Sequence, residues 1–212
     1  MFKPLVIIGA GGHASVLAET LLTEGRQIIA VVSPEIIMDS SPFAGINRLT
    51  TDESLLTTYS PEQVELVNGM GATPGNDLHF RLFNYFSEHG YYFVSVVSPN
   101  ATVSKSAQLA DGVQIMAGAI VQTNAIVGMN CIINSGAIIE HDCCIGAHNH
   151  IAPSATLSGG VITESQVHVG TGACVIQGIK IGNKSVIGAG CSVVRDVPAM
   201  QVIIPARCRI LR

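Results

Sequence analysis

From Ala101 onward the chain can be cut into hexads without an insertion: ATVSKS, AQLADG, VQIMAG, AIVQTN, AIVGMN, CIINSG, AIIEHD, and so on to CSVVRD, sixteen hexads over residues 101–196. The third residue is Val, Leu or Ile in fifteen of them, Thr163 being the exception. The first is mostly Ala, Cys, Val or another small residue. A repeat this strict decides the architecture ahead of any local propensity. Each hexad supplies a short strand and a turn, and three hexads close one triangular coil. The aliphatic third residue points inward and stacks on its copies above and below, and the small first residue fits where the chain turns a corner. One coil cannot bury its apolar face alone, so coils must stack. The pattern predicts a parallel β-helix over residues 99–212 and leaves its hand open.

Stacking turns sequence spacing into geometry, because residues one coil apart lie in one column. His150 and His168 share a column at the second, outward position. His141, Gly159 and Gln177 share another at the fifth, which puts His141 at a corner with a glycine one coil later. In Ile139-Glu140-His141-Asp142-Cys143 the imidazole is flanked by carboxylates, which favour a basic, oriented histidine. Such a group suits general-base work at neutral pH, although a charged triplet on a solvated corner reads equally well from composition. Cys131, Cys143 and Cys191 stand at first positions and read as packing residues. Gln114 and Ile132 read as outward surface.

Residues 1–98 follow another rule. Leu5 to Ile8 reads as a buried strand, Gly9 to His13 as a tight turn, Ala14 to Leu22 as a helix and Ile28 to Val32 as a second strand closed by Ser33-Pro34. Glu65 to Gly69 reads as a strand running into a glycine turn with Met70 packed beside it, Leu78 to His89 as a helix and Tyr92 to Val97 as a strand. Alternating β and α elements predict a Rossmann-like α/β unit with a parallel sheet. Gly9, Gly11 and Gly12 let a ligand approach the backbone, and the following helix N-terminus attracts phosphate. The run GAGGHA fits a dinucleotide fingerprint. The acidic residue such a site needs after the second strand is replaced by Val32-Ser33-Pro34-Glu35, which argues against NAD.

Only 12% of residues are charged, about half the globular average, so much of the surface must be buried in a core or against other subunits. The net charge is −4 with no Lys/Arg run, and no nucleic-acid partner is expected. The first residues lack the layout of a signal peptide, and no apolar stretch reaches membrane-spanning length. A cytoplasmic protein without membrane insertion is expected, its six cysteines thiols.

Gly9-Ala10-Gly11-Gly12-His13, Asn68-Gly69-Met70-Gly71, Asn134 to Asp142 and His150-Ile151-Ala152-Pro153-Ser154 followed by Leu157-Ser158-Gly159-Gly160 come in an order that resembles one family across nearly the whole chain. It is the bacterial sugar N-acetyltransferases of the sialic acid O-acetyltransferase type, which include enzymes acetylating 4-amino-4,6-dideoxy sugars on UDP, dTDP or GDP. The resemblance implies a left-handed β-helix, a homotrimer and acetyl-CoA bound in the groove between adjacent helices, with no metal. It implies His141 as catalytic base and Asp142 as the carboxylate that orients it. His150, Gly159, Thr171 and Ala189 become cofactor contacts, Gly159 offering an amide to the thioester oxygen. Gly11, Gly12, His13, Ser33 and Gly71 become contacts to the nucleotide-linked amino sugar. Ser33-Pro34 replaces an acidic pair that several relatives use for the base or ribose, so the nucleotide stays open. Ile204-Pro205-Ala206-Arg207 resembles the family's closing motif without its glycine.

Three rivals remain at this stage. The same histidine serves a hydroxyl, so O-acetylation of a sialic acid or related sugar stays open. A non-catalytic scaffold or nucleotide sensor is a second. A zinc site from His148, His150 and His168 is a third, weakened because His148 sits at a corner outside the column of the other two.

Overall fold

The computed structural model describes residues 2–205. The chain divides into two compact units, Met1–Val97 and Ser98–Arg212.

The first unit is built around four consecutive aliphatic residues. Leu5–Ile8 (β1) is buried throughout, as a central parallel strand covered on both faces must be. Then follow α1 (Gly12–Thr23), β2 (Ile28–Val32), β3 (Asn47–Leu49), α2 (Asp52–Thr58), β4 (Glu65–Asn68) and α3 (Leu78–Glu88). The sheet order is β3-β2-β1-β4 and every pair is parallel. Val6 and Ile8 join a core with Leu55 of α2 and Phe83 and Phe86 of α3. Ile7 faces the other way, toward Ala14 of α1, and the two meet across Gly69. The chain leaves β1 to one side for β2 and returns on the other as β4. The crevice at the carboxyl ends of β1 and β4 is therefore the topological switch point, where open α/β sheets bind ligands.

Three local expectations are corrected. Helix α1 starts at Gly12, so His13 belongs to its first turn and not to the preceding loop. The strand expected over Tyr92 to Val97 shrinks to one bridge between Phe93 and Leu66 and a two-residue strand, Val96–Val97. Strand β4 ends two residues beyond Leu66, so the neighbour runs out. Elements β3 and α2 carry too few apolar residues to show in the pattern. Helix α2 is held instead by a capping box between Thr51 and Ser54.

The second unit is a parallel β-helix of three sheets. Each two-residue strand pairs with its copy one coil later: Ile126 with Cys144, Ile138 with Thr156, His150 with His168. Third-position residues are buried from Ile115 to Val193. Thr163 keeps that place because Asn149, buried beside it, donates to its hydroxyl at 2.5 Å. The corners, however, are made by the sixth residue. It has positive φ in every hexad from Gly112 to Gly190, including Asn124, Asn130, Asp142, His148, Ser154, Gln166 and Lys184. Gly and Asn dominate because they tolerate the left-handed conformation. First-position side chains follow the corner and point inward, where small residues pack; Cys131, Cys143 and Cys191 are buried among them. Burial pushes the Cys131 thiol up to about 12. Gln114 and Ile132, expected at the surface, are 1% and 0% exposed, while His150 and His168 further along the same column are half-buried. The period breaks at the end, where Val186 pairs with Val202. No helix among the described residues is long and apolar enough to cross a membrane.

Candidate active site

His141 and Asp142 occupy the fifth and sixth positions of one hexad, at a corner. Asp142 takes φ +60°, and both side chains turn outward, each more than half exposed. His141 Nδ1 lies 2.8 Å from Asp142 Oδ2. Asp142 Oδ1 accepts from Asn124 Nδ2 at 3.2 Å. These bonds, the His141 one first, hold the Asp142 carboxyl below the usual carboxylate range. An ionised carboxylate only accepts, so the proton of a neutral His141 ring sits on Nδ1 and the Nε2 lone pair points away, ready to take a proton. One coil later the same corner reads Gly159-Gly160, with no side chain at either place. The ring of His141 leans into that notch: a Cβ on Gly159 would stand 2.7 Å from Nε2. The ladder between coils uses the Gly160 N–H, donated to His141 O, and the Gly159 carbonyl, which accepts from Gly178 N. The Gly159 N–H is left outside it.

Of the expected acetyl-CoA contacts, Gly159 alone shares this corner. Thr171 and Ala189 are exposed and stack at another one, where Gly172 N donates to Pro153 O and Gly190 N to Thr171 O. His150 lies on the side leading to that second corner. Its Nε2 accepts from Asn134 Nδ2 at 3.0 Å, and its ring meets His168 edge-on with centroids 4.9 Å apart. His148 Nδ1 pairs with Asn130 Nδ2 at 3.0 Å. Among the described residues no three His, Cys, Asp or Glu side chains converge as a metal site.

In the first unit Gly11, Gly12 and Ser33 line one pocket of about 410 Å³ with Glu35, Met38 and Ser41. No atom crowds Gly11 or Gly12, so that backbone is open. Gly71 and His13 are neighbours across the switch point: a Cβ on Gly71 would lie 3.9 Å from that of His13. Ser33 is 4% exposed, and its hydroxyl is engaged inside its own turn with the N–H and carbonyl of Glu35.

Against known proteins, residues 4–75 match the family model described as the PglD N-terminal domain, and residues 106–141 match the bacterial transferase hexapeptide. The chain is similar to PerB from Caulobacter crescentus, solved in complex with CoA and GDP-perosamine, with 34% identity over 95% of this chain and 94% of that one and a TM-score of 0.84. It is also similar to the acetyltransferase domain of PglB from Neisseria gonorrhoeae, solved with acetyl coenzyme A, with 31% identity over 95% and 96% of the two chains and a TM-score of 0.83. The chain belongs to the PglD-type hexapeptide-repeat sugar N-acetyltransferases. A curated relative, 2,3,4,5-tetrahydropyridine-2,6-dicarboxylate N-acetyltransferase from Staphylococcus aureus, is 29% identical over 75 residues, 32% of this chain. That match spans 31% of the relative's length.

For a PglD-type chain, two residues that shape the first unit's loops escaped the sequence reading. Arg48 Nη1 donates to the carbonyls of Ser33, Pro34 and Glu35 at 3.1–3.3 Å and clamps the pocket wall. His79, buried on α3, meets Met70 O through Nδ1 at 2.7 Å, while Asn68 Nδ2 donates to His79 O. Together they hold the Asn68–Gly71 turn. Neither has a motif, and both stand in mixed polar and apolar sequence that gives no signal. Ala206 and Arg207 of the closing motif lie outside the described residues.

Proposed function

We propose that this chain transfers an acetyl group from acetyl-CoA to the 4-amino group of a nucleotide-linked 4-amino-4,6-dideoxy sugar, a building step for bacterial surface glycans. The observation that carries the reading is the His141–Asp142 pair: Nδ1 held at 2.8 Å by an ionised carboxylate, Nε2 facing a corner cleared by Gly159 and Gly160. An amine N–H at that notch meets a base already in the correct tautomer. The amine attacks the thioester carbonyl carbon, a C–N bond forms, the C–S bond breaks, and His141 Nε2 takes the proton from nitrogen. Coenzyme A leaves as a thiolate and recovers a proton as the free thiol. The N–H of Gly159, outside the ladder, is available to the developing oxyanion. Holding both substrates side by side supplies much of the acceleration by removing their freedom to separate.

The nucleotide belongs to the first unit. The open backbone of Gly11 and Gly12 at the start of α1 suits the diphosphate, with Gly71, His13 and the Ser33 turn around the rest. His150, Thr171 and Ala189 are assigned to acetyl-CoA. Thr171 and Ala189 stand at another corner of the coil from His141, with His150 on the side leading to it, and a second copy packed alongside would bring one copy's corner against the other's. A homotrimer with acetyl-CoA in the grooves between copies fits this division and the low charge of the chain. The substrates imply a cytoplasmic enzyme.

The test is release of coenzyme A from acetyl-CoA with UDP-, dTDP- and GDP-linked 4-amino-4,6-dideoxy sugars, for wild type and His141→Ala. Turnover of one sugar, lost in the variant, supports the reading and names the nucleotide. No turnover of any, with sialic acid acetylated instead, replaces it with O-acetylation.

A further inference from the structure

The geometry points to Asn124 as a positioning residue that acts on His141 through Asp142. Asn124 and Asp142 hold the sixth position of successive coils on one corner, and both have φ near +60°. Coils are separated by the spacing of paired strands, about 4.8 Å. A side chain as short as asparagine's spans that gap, and Nδ2 ends 3.2 Å from Asp142 Oδ1. The position makes two demands at once: tolerance of the left-handed backbone and a donor pointing along the column. Glycine meets only the first; asparagine meets both. Its own backbone is fixed one coil earlier, where Asn124 N donates to Ser106 Oγ at 3.1 Å and Ser106 Oγ lies 3.2 Å from Ser104 Oγ.

The bond matters because Asp142 is exposed. A carboxylate tied only through Oδ2 rotates and trades its partner for water. With Oδ1 on Asn124 and Oδ2 on His141 Nδ1, both oxygens are engaged and the carboxylate plane is set. The same reach recurs from Asn130 to His148 at another corner, so the coil builds it readily. At Asn124 the acceptor, Asp142, in turn holds the His141 ring. The column then stops, since Gly160 and Gly178 follow, so side-chain support lies on one side of the histidine and open space on the other.

This inference rests on His141 being the base, and the experiment separates the two. Asn124→Gly keeps the left-handed corner and removes only the amide, and thermal melting checks the fold. Expected is a kcat about tenfold lower, with KM for acetyl-CoA and for the nucleotide sugar each within about twofold, since the substrates are not touched. In an Asp142→Gly chain, which also keeps its corner, adding Asn124→Gly changes kcat by less than about twofold, because the route of its action is gone. A full further loss in that double variant, or an unchanged kcat in the single one, overturns the proposal while leaving His141 as the base. A His141→Ala chain that retains wild-type turnover overturns both.

Discussion

The imidazole of His141 fills the space that a side chain on Gly159 would need. A Cβ there would lie 2.6 Å from Cε1 and 2.7 Å from Nε2. The obstacle is the end of a side chain and not backbone, so the helix can accept alanine by letting the ring swing outward. Gly159→Ala is therefore expected to melt close to wild type yet lose kcat on the order of tenfold to a hundredfold, since a shift near 1 Å in a reacting group costs that much. In an His141→Ala chain the same substitution meets no ring, and its effect on the residual turnover should vanish. A variant that melts like wild type and keeps full kcat shows that the ring position is not critical.

Gly69 presents the opposite case. An added Cβ would come 2.7 Å from both Ile8 O and Ala14 Cβ. Backbone oxygen cannot move aside, so β1 and α1 must separate from β4. Gly69→Ala is expected to cost about 1–3 kcal/mol in denaturant unfolding. It should also raise KM for the nucleotide sugar, because the Gly9–Gly12 and Asn68–Gly71 loops flank the same crevice. KM for acetyl-CoA should stay put.

What the sequence made legible follows from period. A hexad repeat states the position of every side chain in the coil, so the columns of His141 with Gly159 and of His150 with His168 could be written down before any coordinates. The sixth-position corner was missed because Gly and Asn share it with Asp, His, Ser, Gln and Lys, so that no residue type marks every copy. The burial of Gln114 and Ile132 was missed because a period describes a coil and says nothing of what covers it. In the first unit Arg48 acts over 13 to 15 residues on loop carbonyls, and His79 over 9 on the carbonyl of Met70. Such bonds depend on how a loop folds back, which no pattern encodes.

The Arg48 clamp yields its own prediction. One guanidinium nitrogen serves three successive carbonyls, Ser33, Pro34 and Glu35, and that turn lines the pocket beside Gly11 and Gly12. Arg48→Met keeps the aliphatic stem and removes the donors. Expected is a several-fold, roughly 1 kcal/mol, weakening of nucleotide-sugar binding, seen as a higher KM or by calorimetry, with kcat at saturating sugar nearly unchanged. Equal losses for acetyl-CoA and sugar would mean that the clamp holds the fold and not the pocket.

His168 links the β-helix to pH. Its Nδ1 is buried without a hydrogen-bond partner, its ring stands edge-on to His150, and desolvation lowers its pKa from the ordinary value. In the unfolded chain the ring titrates near its usual value of about 6.5. Between that value and the lower folded one, the unfolded state binds the extra proton. Stability from this group is therefore fully present above about pH 6.5 and is lost as pH falls toward and through the folded pKa. His168→Phe preserves a flat ring and removes the titration. Urea unfolding at pH 7.5 and pH 5 should show the wild type losing more stability than the variant across that interval, the difference isolating His168 from the other histidines. Equal losses would mean that protonation of His168 does not govern the loss of stability.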